Sequence, residues 1–204
     1  MRILKRGCNG DDVRQLQGFL KIYQDGIFGK LTEEAVKELQ TKYGLVADGV
    51  VGPNTWAIIQ GDPLYKKSKR SINEIIVHCT ASYEGKSMTV ADIRKMHIKE
   101  RGWSDIGYHY VVYIDGSVHE GRDVNISGAH CTGHNTHSIG VVYVGGLDSK
   151  GKAKDTRTPA QKTGLLKLLK ELKRLYPKAT IHGHREYANK ACPCFDAKSE
   201  YKNL

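Results

Sequence analysis

An eight-residue pattern occurs twice near the N-terminus, as Asp25-Gly26-Ile27-Phe28-Gly29-Lys30-Leu31-Thr32 and again as Asp48-Gly49-Val50-Val51-Gly52-Pro53-Asn54-Thr55. Asp-Gly favours a turn and the second glycine allows a further tight bend, so each copy reverses the chain. The threonine is then placed to cap a following helix, with Glu33 and Glu34 at the positive end of the helix dipole. Helical spacing is visible in Val13, Leu16, Gln17 and Leu20, and again in Ala35, Val36, Leu39 and Tyr43. Two similar loops between such segments predict a small bundle of three helices.

Charge divides the chain beyond that bundle. Residues 1 to 62 carry eight Lys+Arg and eight Asp+Glu, so the formal excess of +10 falls wholly in residues 63 to 204. A polar stretch without periodicity starts at Gly61-Asp62-Pro63 and continues through Lys66-Lys67-Ser68-Lys69-Arg70-Ser71. The expected organisation is therefore a helical domain over 1–62, a basic linker over 63–71 and a second domain over 72–204. The basic second domain suggests a polyanionic partner, either nucleic acid or an anionic wall or membrane surface, and charge alone does not choose between them.

The second domain alternates strands and helices, an α/β pattern. Glu74-Ile75-Ile76-Val77-His78-Cys79 reads as a short apolar strand, and Thr89 to Arg101 as a helix opened by Thr89 with Asp92 in capping-box spacing. Tyr108 to Ile114 is apolar on both faces and turns at Asp115-Gly116 into Ser117-Val118-His119. Ile139 to Val144 reads as another strand. Thr158-Pro159 starts a helix whose Leu165, Leu168, Leu169, Leu172 and Leu175 form one stripe. A last short strand near Ala179 to His182 precedes His184. A mixed β-sheet flanked by helices, with its site at strand ends, is the expected fold of this part.

The residues with metal chemistry lie far apart in sequence. His182-Gly183-His184-Arg185-Glu186 is followed by Lys190-Ala191-Cys192-Pro193, and Val77-His78-Cys79 stands well upstream. Together they offer two imidazoles and one thiolate. Catalytic zinc sites typically use three protein ligands and leave one position open, whereas structural sites are closed by four. The chain thus reads as a zinc hydrolase. Five cysteines, Cys8, Cys79, Cys131, Cys192 and Cys194, show no disulfide-framework spacing, so free thiols are expected. The start Met1-Arg2-Ile3-Leu4-Lys5-Arg6 lacks the apolar core of a signal peptide, and no stretch approaches transmembrane length.

Two resemblances sharpen these expectations. Residues 1 to about 60 resemble the peptidoglycan-binding domain of cell-wall hydrolases, through the paired DGxxGxxT loops and the closing Thr55-Trp56. Residues 72 to 198 resemble zinc N-acetylmuramoyl-L-alanine amidases of the bacteriophage lysozyme type, relatives of the peptidoglycan recognition proteins. Six ordered motifs carry that likeness: Val77-His78-Cys79, Gly102-Trp103-Ser104-Asp105-Ile106-Gly107-Tyr108-His109, Gly121-Arg122-Asp123, Ser138-Ile139-Gly140-Val141, Thr158-Pro159-Ala160-Gln161 and Lys190-Ala191-Cys192-Pro193.

The resemblance implies cleavage of the amide between the lactyl group of N-acetylmuramic acid and L-alanine. It implies zinc (Zn2+) on His78, His184 and Cys192, with Tyr108 and Lys190 as catalytic partners. Cys194 is the nearest competitor to Cys192, and is expected behind the site or incidental to it. No HExxH glutamate is present to act as base; Tyr108 can orient water or donate to an oxyanion, and Lys190 brings a cation. Outside these motif positions, Tyr108 would read as a core aromatic and Lys190 as a solvated loop residue. His182 is expected to share the direction of His184 by the period of two along a strand. The loop His130-Cys131-Thr132-Gly133-His134-Asn135-Thr136-His137 has the composition of a second metal site, but substrate contact or solvent exposure is the preferred reading.

The functional expectation is a phage or prophage endolysin, held in the host cytoplasm without a signal peptide until its release to the cell wall. The partner expected is peptidoglycan, with no nucleic acid, no membrane insertion and a monomeric chain. The alternatives are a bacterial autolysin, a recognition module that binds peptidoglycan without cutting it, and a nucleic-acid or polymerase-binding protein. Cys192, Tyr108 and Lys190 together argue against the second. The lack of a zinc-finger or helix-turn-helix pattern argues against the third.

Overall fold

The computed structural model describes residues 2–43, 45–59 and 65–204. It divides into two units, Met1–Lys66 and Lys67–Leu204. Gly61, Asp62 and Pro63 of the expected linker lie outside the described residues.

The first unit contains the three helices expected from the repeat: α1 (Asp11–Leu20), α2 (Lys30–Tyr43) and α3 (Pro53–Ile59). Leu4, Val13, Leu16, Phe28, Val36, Val51 and Trp56 form its core. The repeated loops are held by a feature the apolar pattern does not reveal. Gln17 of α1, buried, donates through Nε2 to Asp25 Oδ1 (2.7 Å), the Ile27 carbonyl (3.1 Å) and Thr32 Oγ1 (3.1 Å), while its Oε1 accepts from Gly26 N (2.8 Å). Gln40 of α2 repeats the same set with Asp48 Oδ1 (2.8 Å), the Val50 carbonyl (2.9 Å), Thr55 Oγ1 (3.2 Å) and Gly49 N (2.9 Å). Gly26 and Gly49 take φ of 76° and 74°, the left-handed region that glycine tolerates without Cβ strain.

One expectation is corrected here. Thr32 and Thr55 are not helix caps: they lie inside α2 and α3, buried, each completing a glutamine clasp. Within α2 the buried positions are Thr32, Val36 and Gln40, while Ala35 and Leu39 are half-buried and Tyr43 is exposed. Polar residues displace apolar ones there because their hydrogen bonds are all satisfied inside the unit.

The second unit is built on a five-stranded mixed sheet. Its elements in chain order are β1 (Glu74–Cys79), β2 (Ser82–Tyr83), α4 (Val90–Arg101), β3 (Tyr110–Val112), β4 (Val118–Glu120), β5 (Ser138–Tyr143), β6 (Gly146–Leu147), α5 (Pro159–Leu175), β7 (Thr180–Gly183), a single 3-10 turn (His184–Glu186) and α6 (Ala197–Glu200). The strand order is β4-β3-β5-β1-β7, with β2 and β6 forming a separate pair. β1 lies between β5 and β7, parallel to both, and β3 runs parallel to β5 and antiparallel to β4.

Local signals set the helices. Thr89 and Asp92 form a reciprocal capping box at the start of α4, and Thr158 and Gln161 form another at α5. Val111 and Val142 of the sheet pack with Ile93 of α4 and with Ile106. Leu165, Leu168, Leu169 and Leu172 of α5 are buried. Ser68 and Arg70, read in the sequence as linker, belong to this unit: Ser68 N donates to Tyr176 Oη and Arg70 donates to the Val124 and Asn135 carbonyls. No helix among the described residues is long and apolar enough to cross a membrane.

Candidate active site

Strand ends position the side chains. β1 is buried from Ile75 onward, and His78 is its fifth residue, 1 % exposed. β7 pairs with β1 in parallel through Val77↔Gly183, and the chain leaves that strand at His184. The loop after the 3-10 turn returns Cys192 to the same place, where Cys79 N donates to its Sγ at 3.3 Å. Ligand atoms of His78, His184 and Cys192 all lie within 4.8 Å of one another. The His78 and His184 rings are 4.6 Å apart by centroids.

The electrostatics suit a cation at this point. Burial holds His78 well below the ordinary histidine range, helped by His130, His184 and Lys190. His184 is lowered by burial and then by Lys190. Both imidazoles are thus neutral, with lone pairs available. Hydrogen bonding from Cys79 lowers the Cys192 thiol in spite of its burial. The neighbouring thiols move the other way: burial pushes Cys194 up to about 12, and Cys79 is raised first by its hydrogen bond to Cys192 and then by burial. Of the three thiols, Cys192 is therefore the one most readily deprotonated. Cys194 Sγ faces the Gly146 carbonyl (3.2 Å) and Cys79 Sγ (3.7 Å). Two neutral imidazoles and one sulfur that ligates as thiolate match a borderline-soft divalent cation.

A cavity of about 480 Å³ opens over this cluster, lined by His184, Cys192, Lys190, Tyr108, Trp103 and His130 among others. The Tyr108 ring lies 5.1 Å from His78 and 5.4 Å from His97. Burial, and after it the Cys192 and Cys79 thiols, raise the Tyr108 phenol, so it carries its proton at neutral pH. His97 Nδ1 accepts from Gly107 N (3.0 Å), and its ring lies 4.8 Å from Trp103, which Arg101 overlies at 5.2 Å.

His130, which the sequence offers only as part of a possible second metal loop, stands instead behind His78. His130 Nδ1 lies 3.0 Å from His78 Nε2, and its own Nε2 is 3.3 Å from Ser138 Oγ. A Cβ on Gly140 would approach the His130 ring to 2.5 Å, so glycine there makes room for the ring. In the sequence the signal is indirect: Gly140 interrupts an apolar strand and so leaves space for a ring from elsewhere.

The other histidines serve elsewhere. His109 is buried, with Nδ1 accepting from Gly140 N (2.9 Å) and Nε2 donating to the Ile126 carbonyl (3.0 Å). His119 stacks on Tyr113 at 3.8 Å. The expectation for His182 is corrected: His184 has left the strand for the 3-10 turn, so the period of two no longer relates them. His182 instead meets Glu186 (2.7 Å) and Thr180 Oγ1 (2.9 Å).

A mixed sheet with two histidines and a cysteine converging where the parallel strands β1 and β7 end defines an amidase-type site. The chain belongs to the N-acetylmuramoyl-L-alanine amidase family, which matches residues 68–195, and residues 9–59 match a peptidoglycan binding domain. It is similar to the endolysin of Escherichia phage T7, 46% identical over 132 residues that cover 65% of this chain and 87% of that one. Among solved structures, N-acetylmuramoyl-L-alanine amidase LysC from Clostridium intestinale URNW matches at a TM-score of 0.55 with 29% identity, over 67% of this chain and 89% of that chain. The Ph2119 endolysin from Thermus scotoductus MAT2119 bacteriophage Ph2119 matches at 0.53 with 34% identity, over 63% of this chain and 81% of that chain.

Proposed function

We propose that the protein is a zinc-dependent phage endolysin that hydrolyses the amide joining N-acetylmuramic acid to L-alanine in peptidoglycan, with residues 1–62 as its wall-binding domain. The observation that carries this reading is the convergence of His78, His184 and Cys192 within 4.8 Å beneath a cavity that Tyr108 and Lys190 also line. His78, His184 and Cys192 would hold the zinc, which as a Lewis acid polarises a carbonyl and acidifies water toward neutrality.

The chain's own groups do the rest. The Cys79 N–H donates to the Cys192 sulfur and orients it, and His130 fixes the His78 ring from behind. Tyr108, protonated, donates a hydrogen bond to the oxygen that gains negative charge as the amide carbonyl becomes tetrahedral. Lys190, exposed at the rim, adds positive charge on the same side and can supply a proton to the departing amine of L-alanine. Trp103, braced by His97 and Arg101, offers a flat apolar wall for the sugar or stem peptide.

The test is an assay of the ends released from purified peptidoglycan. Free amino groups should appear without new reducing sugars. Tyr108→Phe and Lys190→Ala should keep their metal and lose about 10²- to 10⁴-fold in rate. Reducing ends in place of amino groups would replace the amidase reading with a glycosidase one, and full activity in either variant would remove that residue from the chemistry.

A further inference from the structure

A second group of metal-type side chains lies at the opposite end of β1. Glu74 is the first residue of the strand and His78 the fifth, roughly 13 Å further along at the rise of an extended chain. Glu74 Oε2 lies 2.8 Å from His134 Nδ1 and 3.3 Å from His137 Nε2, and the ligand atoms of all three fall within 4.8 Å of one another. The side chains are 16 %, 27 % and 34 % exposed, shielded yet open to an ion arriving from water.

The group is prearranged by its surroundings. Asn73 N and Glu74 N both donate to the His137 carbonyl (3.0 and 3.3 Å), and the parallel register sets Glu74 beside Ser138. The backbone therefore delivers His137 next to Glu74. His134 arrives by the turn in which His137 N donates to its carbonyl. The carboxylate is divided between two tasks: Oε1 accepts from Tyr187 Oη (3.0 Å), leaving Oε2 to face the imidazoles. Tyr187 also stacks on the His134 ring at 3.9 Å, and Thr136 Oγ1 lies 3.3 Å from His137 Nδ1, so both rings are oriented from behind. Such outer partners are what metal-binding histidines and carboxylates ordinarily have.

We propose that Glu74, His134 and His137 form a second site for a divalent first-row transition metal, with Zn2+ as its natural class of occupant. Imidazole and carboxylate donors suit Zn2+, Ni2+ and Co2+, and tetrahedral ligands about 2.0–2.2 Å from zinc stand roughly 3.4 Å apart, close to the 3.3 Å between Glu74 and His137, so that only the 2.8 Å between Glu74 and His134 has to open to admit the ion. Three protein ligands leave the ion further positions for water. The consequence is mechanical. His134 and His137 end the loop whose start, His130, holds His78 and whose Cys131, Thr132 and Asn135 line the cavity. An ion bridging that loop to the first residue of β1 stiffens one wall of the active site without touching substrate.

Co2+ distinguishes this site from the one proposed for catalysis, because only a site containing Cys192 gives thiolate-to-cobalt charge-transfer absorption. The full chain, stripped by chelator, should take up two equivalents of Co2+: one with that absorption, lost in Cys192→Ser, and one without it, lost in the Glu74→Gln/His137→Asn double variant. Zn2+ should displace both, and the second equivalent should add a metal-dependent rise in Tm that the double variant lacks. If the double variant does not fold when metal-free, Tyr187→Phe keeps all three ligands and should weaken the second equivalent about 10- to 100-fold. A single equivalent abolished by Cys192→Ser and untouched by Glu74→Gln/His137→Asn or Tyr187→Phe would overturn the proposal and make the cluster an ion pair network only. A single equivalent abolished by Glu74→Gln would support it while removing the cavity site.

Discussion

The paired glutamine clasps make a quantitative claim about the first unit. Replacing Gln40 by Met keeps the length and helix propensity of the side chain but removes its donor and acceptor. Asp48 Oδ1 would still accept from Val50 N, and the Val50 carbonyl from Thr55 Oγ1. Gly49 N, by contrast, donates to Gln40 Oε1 in a buried setting and would lose that acceptor. A buried donor left without a partner costs about 1–3 kcal/mol, and each net hydrogen bond lost about 1 kcal/mol. Gln40→Met should therefore destabilise the unit by about 2–4 kcal/mol. At roughly 0.05–0.15 kcal/mol per residue, a domain of this size has about 3–9 kcal/mol in all, so the loss is a large share. Because the Gln17 distances match those of Gln40 to within 0.2 Å, Gln17→Met should cost the same. Trp56, buried with Nε1 donating to the Arg2 carbonyl, reports on this unit in urea titrations once Trp103→Phe has removed the other tryptophan. A cost below about 0.5 kcal/mol for either variant would show that the clasps are not what holds the repeated loops.

Three further outcomes follow from the second unit. Cys192→Ser should empty the cavity site and abolish turnover, whereas Cys194→Ser should leave both intact; metal analysis showing the reverse would exchange their roles. His130→Ala should lower metal affinity at His78 by about 10- to 100-fold, read by chelator competition, since His130 is the outer partner of that ring; unchanged affinity would make it a packing residue. Acid should destabilise the unit in a defined window. His97 and His109, both buried, are held down to about 4, chiefly by burial, from an ordinary 6.5. The unfolded chain takes up protons first as pH falls, so the stability they contribute is complete above about 6.5 and is lost on the way to about 4. At pH 5.5 each should have lost about 1.4 kcal/mol relative to neutral pH, and denaturant midpoints that stay level between pH 7.5 and 5.5 would contradict this.

Features encoded within a few residues were legible in the chain. The Asp-Gly turns, the capping boxes at Thr89/Asp92 and Thr158/Gln161, and the buried leucine stripe of α5 depend on neighbours along the helix or turn, so the amino-acid order alone determines them. Misreadings came where one local rule met another contact. Thr32 and Thr55 have the composition of caps but are drawn inward by Gln17 and Gln40, partners two turns of helix and a loop away. His182 and His184 obey a strand's period only while the strand lasts, and it ends between them.

The tertiary structure alone decided which distant groups meet. The strand order β4-β3-β5-β1-β7 places β7 and β5 on either side of β1, and no local preference in the sequence specifies that order. It is this parallel pairing that brings His184 and, by the returning loop, Cys192 to His78 at one end of β1, and His137 to Glu74 at the other. Sequence patterns determined the types of donor and the short elements that carry them. Their convergence arises from burial of β1 between β5 and β7, a contact of β1 with segments more than fifty residues away, which no short window of sequence contains.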